Sequence, residues 1–442
     1  MLSSSVSGMN SSYKIAVLGL WHLGEIYSAC LAELGHNVVG ISDDRAVIGN
    51  FSKNIPPLAE PSLEDMIARN RAAGRLAFSS ELSGVKDRDV VWITFDTPVN
   101  DDDESDPGIV FKTIEALAPH LREGALLVVS SQIPVGSSEK IVAAIKKARP
   151  TLKFDYVYSP ENLRLGDAVK GFMEPGRVVA GTASDRALKI FKEILAKLPA
   201  EVVAMNPASA EMTKHALNAW LATSISFTND IADLCERYGA DVEAVAGALK
   251  TDPRVGPKAY LFAGLGFSGG TLGRDLKAMM KAAKEGSIKL PVIEGAFMKN
   301  TTRTALVPVR LAKELGELKG KKLAMFGVTY KAGTSTLRRS QPLEVEAMLR
   351  AKGAAFNLYD PWAKATEVAE KTPSSFSADP YLAAQGADAI LVMTPSRAFG
   401  DLDFGRLKKA AKGDLFFDTC NILCDKEEVI RKAGFKYIRI GR

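Results

Sequence analysis

The chain has 442 residues, 46% hydrophobic and 25% charged, which is enough for two or three domains of roughly 150 residues each. Its net charge of +5 comes from interspersed acids and bases, which suits small anionic ligands and argues against a nucleic-acid partner. No apolar run approaches the roughly 20 residues of a membrane helix, and the four cysteines read as free thiols in a reducing cytoplasm rather than as metal ligands.

Residues 1–12, MLSSSVSGMNSS, are small and polar and read as a disordered leader or an expression remnant. YKIAVLGLWHLG (13–24) predicts a strand running into a glycine turn, EIYSACLAELG a helix stopped by Gly35, and NVVGIS a second strand. Further strands are expected at 89–95, 125–131 and 154–160 with helices between them, which makes a doubly wound domain over 13–205. Asn206 then caps a helix of about 30 residues that has Pro207 at its first position and Gly239 just past its end. More helix is expected at 241–250, 275–285 and 291–315, giving a helical middle domain over 206–315, to which the family resemblance described below assigns dimerisation. From Lys321 the strand–helix alternation resumes, so 316–442 reads as a second α/β domain. The fold class is therefore α/β, with two Rossmann-like doubly wound domains joined by a long central helix and a helical middle domain.

In the first turn, Gly19 and Gly24 match the outer glycines of G-x-G-x-x-G, but Trp21 takes the middle position. The middle glycine normally keeps the approach to a pyrophosphate clear. An indole there points away, stacks on the cofactor or blocks the site, so a dinucleotide site and an empty Rossmann turn both stay open. Ser42 falls where an acidic residue usually meets the ribose, with Asp43, Asp44 and Arg45 following. Asp43 suits NAD, while Ser42 beside Arg45 leaves NADP open.

A second glycine-rich loop, GFSGGTLGRD (266–275), lies between helical segments. It resembles the active-site loop G-F-G-G-S-C-F-P-K-D of the UDP-glucose/GDP-mannose dehydrogenase family, sharing Gly266, Phe267, Gly269 and Asp275. The family's nucleophilic cysteine falls on Thr271. The resemblance extends along the chain through PPLAEPSLEDMI (56–67), ITFDTPV (93–99), SSQIPVGS (130–137), YSPENLRLGDAV (158–169), AEMTKHALNAW (210–220), YKAGTSTLRRS (330–340), YDP (359–361) and DTCNIL (418–423).

What the resemblance implies is a nucleotide-sugar oxidoreductase using NAD or NADP, assembled as a homodimer or a dimer of dimers. It implies catalytic roles for Lys214, Asn218, Glu161, Asp275 and Thr271. Cofactor contacts would come from Gly19, Trp21, Leu23, Gly24, Ser42, Asp43, Thr97, Pro98, Gln132 and Lys331. Substrate contacts would come from Leu163, Lys214, Asn218, Tyr260, Gly266, Phe267, Gly269 and Arg338. Glu211, Lys214 and Asn218 share one helix face by spacing, and His215, turned away from that face, is expected to pack.

Two oxidations of a primary alcohol make a carboxylate, and the family's second step runs through a thioester that needs a thiolate. A threonine hydroxyl is a much weaker nucleophile without an adjacent base. Limitation to one alcohol/carbonyl step follows as an expectation, with direct oxidation of an aldehyde hydrate left open. The alternative reading is a non-redox nucleotide-sugar-binding protein or an epimerase holding its cofactor tightly.

Overall fold

The computed structural model describes residues 12–97, 106–161, 163–267 and 271–442. Pro98 and Gly269, two of the expected site residues, lie outside them. The chain forms two compact units that divide between Ala216 and Leu217.

The first unit is built on eight strands: β1 (Lys14–Leu18), β2 (Asn37–Ile41), β3 (Leu76–Ser79), β4 (Val90–Ile93), β5 (Leu126–Val129), β6 (Asp155–Tyr158), β7 (Val178–Gly181) and β8 (Val202–Met205). They order as β3-β2-β1-β4-β5-β6-β7-β8. Every pairing is parallel except β6 with β7, which meet antiparallel at Tyr158 and Gly181. Alternate residues of each central strand enter different cores. Ile15, Val17, Val90 and Trp92 join one cluster; Ala16, Leu18, Val91 and Ile93 join the other. Burial on both faces is why these strands read as unbroken apolar runs.

The second unit holds β9 (Lys322–Phe326), β10 (Ala355–Tyr359), β11 (Ser375–Phe376), β12 (Ala389–Val392), β13 (Leu415–Asp418) and β14 (Lys436–Arg439). Their order, β11-β10-β9-β12-β13-β14, repeats the first six of the other sheet, and all pairings are parallel. Each sheet therefore reverses direction once, between β1 and β4 and between β9 and β12. In open α/β sheets the ligand crevice opens at such a reversal, beyond the carboxyl ends of the strands.

A 32-residue helix, Pro207–Tyr238, runs through the boundary between the units. The Asn206 side chain accepts from Ser209 N–H at 2.8 Å, and Gly239 adopts φ +72° where a C′ glycine belongs. One expected element splits. The segment 291–315 forms two helices, Pro291–Arg303 and Leu306–Leu315. In a continuous helix Pro308 would have no N–H for the Thr304 carbonyl and its ring would strike it, so the chain breaks before Leu306. Among the described residues no helix is long and apolar enough to cross a membrane.

Candidate active site

The first glycine turn leaves β1 and enters helix His22–Glu33. Gly19 has φ +97°, and a Cβ there would lie 2.9 Å from the Phe95 ring and backbone nitrogen. A Cβ on Gly24 would lie 2.0 Å from the Gly19 carbonyl oxygen, so the helix can sit this close to the strand only with glycine there. Trp21 is the N-cap, with φ −107° and no side-chain cap bond, and it is 50% exposed. Its backbone makes no demand for glycine; the family's middle glycine is a requirement of the ligand, not of the turn. Leu23 is buried behind it.

Around this turn the residues fit a dinucleotide. Thr97, after β4, is 7% exposed and its Oγ1 is buried without a hydrogen-bond partner, a group a bound ligand would satisfy. Ser42 Oγ accepts from Asp44 N–H at 3.2 Å, and Asp44 caps the next helix through Ala46 N–H at 2.8 Å. That leaves Asp43, exposed just past β2, as the carboxylate free to meet ribose hydroxyls. Gln132 is half-buried after β5, and Lys331 is exposed after β9.

At the carboxyl end of β6, Lys214 and Glu161 meet. Lys214, 9% exposed, donates through Nζ to the Glu161 carbonyl oxygen at 2.6 Å and to its Oε1 at 3.4 Å. Glu161 Oε2 accepts from Leu163 N–H at 2.6 Å, a contact that gives Leu163 a positioning part, while its side chain packs on the core. The face-sharing residue Glu211 serves differently. Its buried carboxylate accepts from Gly136 N–H at 2.6 Å and from Ser138 N–H and Oγ at 2.7 Å each. It closes the positive start of helix Ser137–Ala148. His215 packs as expected, with Nε2 3.3 Å from the Ile133 carbonyl.

In the second unit, Asn218 Nδ2 donates to the buried Asp275 carboxylate. Thr271 is the exposed N-cap of helix Leu272–Glu285, yet its hydroxyl caps nothing and has no hydrogen-bond partner among the described residues. The chain leading to it is held by side chains in place of a sheet partner. Asn229 accepts from Gly264 N–H at 2.9 Å, Arg303 Nε donates to Gly264 O at 2.8 Å, and Gln341 donates to Leu265 O at 2.9 Å. Asn300 clasps both polar groups of Phe267, at 2.7 and 3.0 Å. Gly266, with φ +91°, is required here, because a Cβ would fall 2.1 Å from Asn300 Oδ1.

This segment walls a cavity of about 590 Å³ that Tyr260, Gly266, Tyr330, Arg397 and Cys420 help to line. Tyr330 follows β9 and Arg397 follows β12, which sets the cavity at the reversal point of the second sheet. Sequence reasoning missed that Cys420 and Cys424 reach it. Burial pushes the Cys420 thiol upward and the Cys424 thiol up to about 12, so neither is a thiolate near neutral pH. Arg338, assigned to substrate, is exposed after β9 and does not line the cavity.

The comparisons with known proteins give three domains of one family. The NAD-binding, central and UDP-binding domains of the UDP-glucose/GDP-mannose dehydrogenase family match residues 13–199, 208–302 and 324–425. The chain belongs to that family. It is an NAD-dependent dehydrogenase of the group, with NAD as cofactor. It is 34% identical to a UDP-glucose 6-dehydrogenase of Rhizobium meliloti (strain 1021) over 97% of this chain and 99% of that one. It is 32% identical to UDP-glucose 6-dehydrogenase TuaD of Bacillus subtilis (strain 168) over 97% and 93%. A UDP-glucose dehydrogenase structure from the hyperthermophilic archaeon Pyrobaculum islandicum superposes with a TM-score of 0.85 at 26% identity, covering 99% and 98% of the two chains.

Proposed function

We propose that this chain oxidises the primary alcohol of a UDP-sugar to the carbonyl with NAD and stops there. The observation that carries the limit is Thr271, a hydroxyl where the resemblance places a cysteine, with no hydrogen bond from it to a base among the described residues. The substrate class is supported by the UDP-binding domain match over 324–425, by the relatives named above, and by the cavity at the turning point of that domain's sheet.

Bound NAD supplies the hydride acceptor. Gly19, Gly24 and the start of helix His22–Glu33 would hold its pyrophosphate, with Thr97 and Asp43 as further contacts. For the substrate, an alcohol carbon that gives up a hydride to NAD must also lose its hydroxyl proton, which passes to solvent water, while the oxygen's growing charge is stabilised. Lys214 has three N–H donors and commits two to Glu161, so one remains to polarise that oxygen. Asn218, one helical turn further, has one amide N–H tied to Asp275 and one left for a ligand or a water. With no thioester to hydrolyse, Glu161 serves to aim Lys214.

The test is a count. The protein incubated with excess NAD and limiting UDP-glucose is expected to yield about one NADH per sugar and a carbonyl that traps with hydroxylamine. A ratio near two with a carboxylate product would refute the one-step limit while leaving the dehydrogenase intact.

The dimer is supported by the long helix. Trp220, Phe227 and Leu234 recur every seven residues along it, and Tyr238 follows, all exposed. Seven residues are two turns, so they form one apolar stripe. Sedimentation is expected to give twice the chain mass at micromolar concentration, and a Trp220→Glu, Phe227→Glu variant to give the single-chain mass. A parent protein sedimenting as one chain would rule the dimer out.

A further inference from the structure

We infer that Arg397 is the diphosphate clamp of this cavity, an assignment that rests on the nucleotide-sugar reading above. Among the described residues lining the cavity, Arg397 is the single cation. It begins the 3-10 turn Arg397–Asp401 just beyond β12, where Ser396 caps the turn through Ala398 N–H at 3.3 Å. That puts it at the reversal point of the second sheet, where phosphate groups of ligands gather.

Its guanidinium is uncommitted. Across this unit Arg303, Arg310, Arg350, Arg431 and Arg439 all pair with carboxylates. Arg397 is exposed and has no hydrogen bond or ion pair with any described residue. A planar fork of five donors matches two phosphate oxygens at once, which an ammonium does not.

The rest of the lining leaves a diphosphate no other charge partner. The two lining carboxylates, Glu243 and Asp425, repel an anion, and Glu243 is already held by Asn421 Nδ2 at 3.1 Å. Elsewhere the lining offers rings. Tyr260 and Phe262 meet edge to face with centroids 4.7 Å apart, both partly exposed, which is a surface for a base or sugar and not for a phosphate. The polar end of the ligand therefore faces Arg397.

The experiment compares the full-length protein with Arg397→Gln and Arg397→Lys by calorimetry with UDP and with uridine, and by steady-state kinetics with UDP-glucose. Arg397→Gln is expected to weaken UDP binding about 10- to 100-fold and to leave uridine binding within about twofold. Arg397→Lys should recover part of the loss, because it restores charge without the fork. The kinetic defect should appear in KM rather than kcat. Unchanged UDP affinity in Arg397→Gln, or an equal loss for uridine, would overturn the clamp while leaving the dehydrogenase reading standing. Failure of the parent protein to bind UDP or oxidise UDP-glucose would overturn both.

Discussion

Replacing Lys214 by Met is expected to lower kcat for UDP-glucose oxidation about 1,000-fold, the usual cost of losing a charged donor at a developing oxyanion. Lys214 is nearly buried, so its charge acts with little screening by water. Its contacts to the Glu161 carbonyl and carboxylate hold Nζ in one place. A methionine fills similar volume but donates nothing, so the variant should fold, and NAD affinity should persist because the glycine turn is untouched. Stopped-flow measurement of the hydride step under single turnover checks this directly. A loss below about tenfold would remove Lys214 from the chemistry.

The second large effect is on stability and comes from Glu25, which follows Gly24. Its side chain is fully buried, Oε2 accepts only a 3.3 Å contact from Leu58 N–H, and Oε1 has no partner. Burial above all, with the neighbouring Glu60 and Asp96 carboxylates, pushes its carboxyl up to about 8 from an ordinary 4.5. A carboxyl raised by folding favours the folded state below its ordinary value. That contribution is lost as pH climbs from about 4.5 through 8, where the native state must carry a buried charge. The full change is on the order of 4–5 kcal/mol. His36, lowered mainly by burial, works in the opposite sense around its ordinary 6.5, so the informative quantity is parent minus variant. Relative to Glu25→Gln that difference should fall steadily between pH 5 and 8, leaving the variant the more stable at pH 8.5. Parallel urea-unfolding curves for the two proteins across this range would remove Glu25 as the cause.

The same residues show where reading the chain succeeds and where it stops. Gly19 and Gly24 are legible in the sequence because their requirement is local: one needs a positive φ and the other a missing Cβ against the turn itself. The long helix was bounded by Asn206 and Gly239 for the same kind of reason. The strands β7, β8 and β14 were not marked in the sequence, and they become strands through pairing with neighbours.

By itself the sequence determined two doubly wound domains, the helix between them, the family, and the threonine standing in the loop where a thiol is expected. Those follow from short-range patterns: apolar runs, caps, turn glycines and motif order. Only the tertiary structure decided that Glu211 closes a helix and not a catalytic site, that Asn300 and Arg303 hold the loop before Thr271, and that Arg397 and Cys420 share one cavity. Each of those roles depends on a partner 30 or more residues distant in the chain, or on the company of other cavity walls. Such proximity is set by how strands order and helices pack, which no local pattern encodes.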